Sequence, residues 1–185
     1  NLYCGEYGEV CDILEQELFD YTKSVANGKQ KAAFTDTGIL CGEASLLYAY
    51  QLLYGMTGQT KYLRQAERHE EIVVQMLKED RQYDLTYGNA GAILAFCNQY
   101  RLTRQKRSLQ WAEQAAELLL EAGKDQDGEL WWEAKRYPER CGGAAHGGSG
   151  YLLCFERLSE CEGGQGRRGI MDKIRKHEER TYELA

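Results

Sequence analysis

The fold is decided by the stretch Asp84-Leu-Thr-Tyr-Gly-Asn-Ala-Gly-Ala-Ile-Leu-Ala-Phe96, because its pattern occurs twice more. The other copies are Gly38-Ile-Leu-Cys-Gly-Glu-Ala-Ser-Leu-Leu-Tyr-Ala-Tyr50 and Gly143-Ala-Ala-His-Gly-Gly-Ser-Gly-Tyr-Leu-Leu-Cys-Phe155. Aligned without gaps, each copy has Gly at its fifth position, a small residue at its eighth and an aromatic residue at its thirteenth. A weaker fourth copy begins at Leu2. Such internal repetition is typical of repeat architectures.

Each repeat predicts a buried helix, because its apolar residues follow one another on all sides of the helix. Between these helices the apolar residues recur every three or four positions, which predicts amphipathic helices. The amphipathic segments are residues 10–25, 60–79 (with Thr60 as N-cap), 105–122 and 170–182. Alternating buried and amphipathic helices are typical of solenoids and toroids. The sequence therefore predicts an all-α fold, an α/α toroid whose inner and outer helices form a partial ring.

The composition narrows the class of protein. The length of 185 residues suits one domain, and a single Pro agrees with long uninterrupted helices. With 29 acidic and 23 basic residues there is no basic surface for nucleic acid. No apolar run approaches the ~20 residues of a membrane span. Seven cysteines, two of them (Cys97 and Cys154) inside apolar runs, indicate a reducing, cytoplasmic location without a disulfide framework.

The repeats differ where each loop enters its inner helix. The first position holds Asp84 in one copy and Gly in the others, and the fourth position holds Cys41, Tyr87 or His146. These junctions are predicted to share one rim of the ring. A neutral His transfers protons near pH 7, and a neighbouring Asp orients it, so Asp84 and His146 are the acid–base candidates. The alternative is that Asp84 caps the following helix and His146 only fills a gap.

The glycines beside these two residues leave space for a ligand, so they are the predicted binding positions: Gly88, Gly91, Gly147 and Gly150. No metal ligands are predicted. His69-Glu70-Glu71 lacks the second His of a metalloprotease helix, and the cysteine pairs lack zinc-type spacing. His69 and His177 are expected on helices that are otherwise covered in charge.

Two segments resemble signature segments of lanthionine synthetase C-like (LanC-like) proteins: Tyr83-Asp-Leu-Thr-Tyr-Gly-Asn-Ala-Gly-Ala-Ile-Leu-Ala-Phe96 and Gly143-Ala-Ala-His-Gly-Gly-Ser-Gly150. Residues 37–62 resemble an earlier repeat of the same family. The most similar variety is the C-terminal cyclase domain of class II lanthipeptide synthetases (LanM). The resemblance covers nearly the whole chain. It implies that residues 1–185 are a single LanC-like domain, about the N-terminal half of a toroid.

The resemblance also implies a reaction, the zinc-assisted addition of peptide Cys thiols to dehydroalanine or dehydrobutyrine in lantibiotic biosynthesis. By resemblance, a precursor peptide is the partner, His146 moves the proton, and Asp84 positions or balances it. The family's zinc ligands are two cysteines and a histidine, including a Cys-His-Gly segment, and this sequence contains no Cys-His pair. We therefore expect this chain alone to bind no zinc. Contact with a missing C-terminal half, or self-association, is expected to cover the inner helices.

The sequence leaves three interpretations of function open. The chain is part of a lanthionine-forming cyclase, or it is a zinc-less LanC-like module that binds or displays peptide without catalysis. A weaker interpretation is a glycoside-active toroid that uses carboxyl groups such as those of Asp36, Glu43 and Asp84, because glycoside hydrolysis needs two carboxyls across a cleft.

Overall fold

The computed structural model describes residues 8–137, 141–161, 163 and 166–183. The described residues form seven helices and one short hairpin. The helices are α1 (Gly8–Ala26), α2 (Ala44–Thr57), α3 (Thr60–Met76), α4 (Asn89–Thr103), α5 (Lys106–Ala122), α6 (Gly148–Cys161) and α7 (Arg168–Glu183). Strands β1 (Lys124–Gln126) and β2 (Glu129–Trp131) pair antiparallel. Apart from Gly8, the weak fourth repeat copy lies outside the described residues.

The three repeats form the inner helices α2, α4 and α6. Helix α4 packs between α2 and α6, and α3, α5 and α7 each pack on the inner helix before them. Helix α1 packs on α3, and the hairpin packs on α7 through β2. The all-α prediction is confirmed, and each inner helix begins within two residues of the fifth-position glycine.

The core is built from the residues that close the repeats. Tyr50, Phe96 and Phe155 occupy the thirteenth position of their repeats, and none of them is exposed. Helix α4 is buried on all sides, whereas the outer helices bury one face. A fully buried aromatic side chain stabilises a core by about 3–5 kcal/mol relative to Ala. None of the described helices has the length and apolarity needed to cross a membrane.

His69 and His177 lie on the charged helices α3 and α7, as expected, but neither ring is at the surface. Both rings are buried beside carboxylates, His69 Nε2 at 3.1 Å from Glu43 and His177 Nδ1 at 3.0 Å from Glu129. Each carboxylate partner comes from a distant part of the chain, so the charged residues next to each His in the sequence do not indicate that its ring faces inward. Such buried pairs are satisfied by hydrogen bonds and hold elements together.

The N-cap predicted for α3, Thr60, is wrong. The N-cap residue is Gln59, its side chain makes no capping hydrogen bond, and Thr60 is the first helical residue. The hydroxyl of Thr57, at the end of α2, instead accepts a hydrogen bond from the Gln59 N–H at 3.2 Å. The connection is so short that the preceding helix supplies this contact.

The repeated glycines allow backbone to approach the inner helices closely. A Cβ atom placed on Gly91 would lie 2.3 Å from the Leu85 carbonyl oxygen and 2.4 Å from the Ile39 nitrogen. At Gly150 the Ala144 carbonyl oxygen would be only 2.2 Å away. No side chain fits at these distances, because both neighbours are backbone atoms that cannot rotate away. The small eighth position is therefore required by packing in both repeats.

This close approach predicts opposite effects for two Gly-to-Ala substitutions in inner helices. Gly91→Ala is expected to lower the free energy of unfolding by about 3 kcal/mol, because the added methyl overpacks the site. Gly55→Ala, in the exposed interior of α2 with no atom near the added methyl, is the matched control. It is expected to raise stability by about 0.5–1 kcal/mol. Urea unfolding followed by circular dichroism measures both, and equal stability of the two variants contradicts the close approach.

Candidate functional site

The loops that enter the inner helices lie side by side. We define the rim loops as the first five positions of the repeats, residues 38–42, 84–88 and 143–147. The Gly38 N–H donates to the Tyr87 carbonyl at 2.6 Å, and the Thr86 N–H donates to the Ala145 carbonyl at 3.3 Å. Within every rim loop the fifth-position N–H donates to the first-position carbonyl at 2.9–3.1 Å. Equivalent positions of the three repeats therefore stand next to each other.

The stacking brings Asp84 and His146 together. His146 Nδ1 lies 2.9 Å from Asp84 Oδ2, and the two side chains are 25% and 1% exposed. Since an ionised carboxylate only accepts hydrogen bonds, Nδ1 carries the proton in this pair and Nε2 is left to exchange one. The expectation that the two residues share one rim thus agrees with their placement, while their catalytic role stays a prediction.

Asp84 also holds its own turn. Its Oδ1 atom accepts the Tyr87 N–H at 2.7 Å, but the N-cap of α4 is Gly88, so Asp84 caps the rim loop and not the helix. Burial raises the pKa of Asp84, and the hydrogen bonds from the Tyr87 N–H and His146 oppose that rise by favouring the ionised form. One oxygen is therefore structural and the other is available to the imidazole.

Aromatic rings surround His146. The Tyr137 ring stacks on the imidazole at 4.1 Å between centroids, and the Tyr87 ring lies nearly parallel to it at 5.9 Å. The Arg136 guanidinium lies 4.6 Å from the Tyr87 ring centroid and forms an ion pair with Asp36 at 3.2 Å. Stacking on a ring face also favours a cationic partner. These contacts fix the plane of the imidazole and place a charged, partly exposed surface beside it.

An open groove of about 440 Å³ begins at the same place, with Arg136 as a shared wall. Its other lining residues are polar or charged: Thr35, Asp36, Glu79, Arg81, Gln82 and Lys135. Sequence reasoning singled out Tyr87 as a repeat position but missed Arg136 and Tyr137. These two follow the hairpin, outside the repeats, so no periodic signal marked them.

The four glycines predicted to bind a ligand are buried and face backbone. An added Cβ would lie 2.1 Å from the Tyr83 nitrogen at Gly88 and 2.4 Å from the Cys141 carbonyl oxygen at Gly147. Gly91 and Gly150 are equally crowded, as described above. Packing of the rim loops accounts for all four glycines, and their role in binding remains a prediction.

The described residues contain no group of three or more His, Cys, Asp or Glu side chains that could hold a metal ion. Cys141, His146 and His177 line one small cavity, but each ring already has a carboxylate on Nδ1: Asp84 for His146 and Glu129 for His177. The donor set in this part of the chain does not fit the zinc site that the resemblance implies.

Comparison with known proteins agrees with the repeat pattern. The sequence model of the family described as "Lanthionine synthetase C-like protein" matches residues 8–182. No individual curated protein matches the sequence. The match covers α1 to α6, all of α7 except its last residue, and both members of the Asp84–His146 pair.

The Asp84–His146 contact predicts the tautomer of the imidazole. In Asp84→Asn an amide N–H faces His146 if the amide oxygen keeps its bond to the Tyr87 N–H, so the proton is expected to move from Nδ1 to Nε2. Nitrogen-15 NMR of the imidazole distinguishes the two tautomers. Asp36→Asn, which breaks only the ion pair with Arg136, is the control and is expected to leave the tautomer unchanged. An unchanged tautomer in Asp84→Asn contradicts the assignment.

Proposed function

Because the chain belongs to the lanthionine synthetase C-like family, we propose that it supplies the acid–base pair of a thioether-forming cyclase site. His146 transfers the proton, and Asp84 holds the imidazole and balances its charge. The observation that carries this proposal is the 2.9 Å contact between His146 Nδ1 and a carboxylate that is only 1% exposed. A buried carboxylate on Nδ1 leaves Nε2 as the proton-exchanging atom, as general acid–base catalysis requires.

In the proposed reaction one proton moves from the thiol to His146 and then to the product. Neutral His146 accepts the proton of a peptide Cys thiol, and the thiolate sulfur attacks the β-carbon of a dehydroalanine or dehydrobutyrine. The carbon–sulfur bond forms while the double-bond electrons move to give an enolate. The imidazolium, stabilised by Asp84, then returns the proton to the α-carbon. In the family zinc lowers the pKa of the thiol, but the described residues form no zinc site and we assign no step to it.

The surface beside His146 supports a peptide as substrate. The groove lined by Arg136 is open, and the adjacent Tyr87 and Tyr137 rings offer the aromatic contacts that are enriched where proteins bind peptides. We further propose, from the sequence motifs, that the chain is of the class II (LanM) type and acts on a lanthipeptide precursor. We also propose a cytoplasmic location, from the cysteine pattern of the sequence, in which Cys97 and Cys154 lie inside apolar runs.

We propose that the site is completed by other polypeptide, either a C-terminal half of the toroid or a second copy. Each inner helix exposes a leucine: Leu52 on α2 (49% exposed), Leu102 on α4 (40%) and Leu153 on α6 (39%). Exposed apolar side chains on neighbouring helices favour contact with another surface.

A peptide-binding module without catalysis is the second candidate, because the open groove and the aromatic rings beside His146 could hold a peptide without any chemistry. The glycoside-active interpretation has less support. Glu43 is completely buried and bound to Tyr21 and His69, and Asp84 is only 1% exposed and bound to His146, so neither of these carboxyls is open to a cleft.

Ring formation separates the two candidates. The chain is incubated with zinc and a synthetic peptide that carries one dehydroalanine and one Cys, alone and with any polypeptide that its gene encodes after Ala185. Alkylation of free thiols followed by mass spectrometry counts the uncyclised peptide. Rings are expected only in the second mixture, and His146→Asn should slow their formation by about 10²–10⁴. Undiminished ring formation by folded His146→Asn overturns the assignment, and peptide binding without any rings supports the module.

Metal content tests the cofactor proposal. The purified chain is expected to hold far less than one zinc per molecule after dialysis against zinc-containing buffer, because catalytic zinc normally needs three protein ligands. Inductively coupled plasma mass spectrometry gives the ratio. One tightly held zinc per chain would contradict the proposal, and the Cys141→Ser and His146→Asn variants would then identify the ligands.

A further inference from the structure

One carboxylate fastens both ends of the loop that carries His146. Glu178 lies on α7 and is 6% exposed. Its Oε1 atom accepts the Gly143 N–H at 2.7 Å and the Ser149 hydroxyl at 2.8 Å, and its Oε2 atom accepts the Gly148 N–H at 2.7 Å. Gly143 begins the third rim loop, and Gly148 and Ser149 begin α6.

The chemistry of this contact requires an ionised carboxylate. All three partners donate, and only an ionised carboxyl group accepts at both oxygens without a competing proton. Burial raises the pKa of Glu178, but the hydrogen bonds from Gly143, Ser149 and Gly148 outweigh it, so the pKa lies below its usual value. The positive end of the α6 dipole adds to this preference.

The space around Glu178 is closed as well. A Cβ atom on Gly148 would lie 2.6 Å from Glu178 Oε2, so the sixth position of this repeat has room only for Gly. Between the two fastened ends, the Ala145 carbonyl accepts hydrogen bonds from the Thr86 hydroxyl at 3.1 Å and from the Thr86 N–H at 3.3 Å. The direction of the His146 side chain therefore depends on Glu178 on one side and on the second rim loop on the other.

A buried carboxylate makes equivalent hydrogen bonds in the second repeat. Asp80 is 2% exposed, and its Oδ2 atom accepts the Tyr83 N–H at 3.2 Å and the Asn89 N–H at 3.0 Å. These residues flank the rim loop of Asp84 just as Gly143 and Gly148 flank the turn of His146. Both loops that carry a candidate acid–base residue are thus fastened by a carboxylate from outside the repeat.

We propose that Glu178 is a positioning residue for His146: by tying Gly143 to the first turn of α6 it sets the orientation of the imidazole toward Asp84. The consequence for ring closure rests on the function proposed above, whereas the effect on the imidazole does not. Glu178 does not touch His146 and acts only through the loop.

The test replaces Glu178 with Gln, whose amide nitrogen cannot accept a hydrogen bond. The amides of Gly143 and Gly148 are expected to exchange with solvent about tenfold faster or more, since hydrogen bonds to charged groups contribute about 1.5–3 kcal/mol. The ring protons of His146, displaced upfield by the stacked Tyr137, should move toward the values of an unstacked imidazole. Glu179→Gln, an exposed neighbour on α7, is the matched control and should change neither signal.

The outcomes separate positioning from simple stabilisation. If Glu178→Gln lowers the unfolding temperature but leaves the His146 ring signals in place, the proposal is overturned. If that variant does not fold, Ser149→Ala removes one of the three contacts, and it must shift the same ring signals part of the way for the proposal to stand. If the imidazole signals shift but the rate of thioether formation stays the same, the catalytic role of His146 is overturned, and the positioning role of Glu178 stands.

Discussion

The contact of loop backbone with the first turn of each inner helix is the constraint on which the structure depends. Gly42, Gly88 and Gly147 have no room for a side chain, because a Cβ would lie 2.1–2.4 Å from a backbone atom of the preceding loop. That approach lets the rim loops hydrogen-bond to one another through backbone alone. The inner helices are consequently held in fixed register, and the side chains at equivalent positions fall in one row.

Charge is built into this arrangement at each inner helix. Glu43 is the N-cap residue of α2, and the carboxylates of Asp80 and Glu178 accept hydrogen bonds from the first residues of α4 and α6. All three side chains are at most 6% exposed. Burial raises the pKa of Asp80 to about 6 in spite of its hydrogen bonds, whereas the hydrogen bonds to Glu178 prevail over burial. Carboxylates at helix N-termini interact favourably with the helix dipole and with unpaired N–H groups. The outer helices and connections are thereby fastened to the rim.

Much of the fold followed from the repeats, because a Gly-x-x-small start before an apolar run has a direct steric meaning. The prediction that Asp84 and His146 lie on the same rim followed from the alignment of the repeats. The buried pairs of His69 with Glu43 and of His177 with Glu129 did not, since they join residues 26 and 48 positions apart without periodicity. The contact of Tyr137 with His146 could not be predicted either, because Tyr137 lies in an irregular segment that only the tertiary fold brings to His146.

The backbone hydrogen bonds between the rim loops have a consequence for how the sequence of such a protein can evolve. Because these hydrogen bonds join N–H and carbonyl groups, they place no demand on the side chain at the fourth position. Cys41, Tyr87 and His146 occupy that position in turn, and the same backbone carries a thiol, a phenol and an imidazole. The rim backbone can therefore present different reactive side chains at this position, and one of them can replace another by a single substitution without a change in the fold.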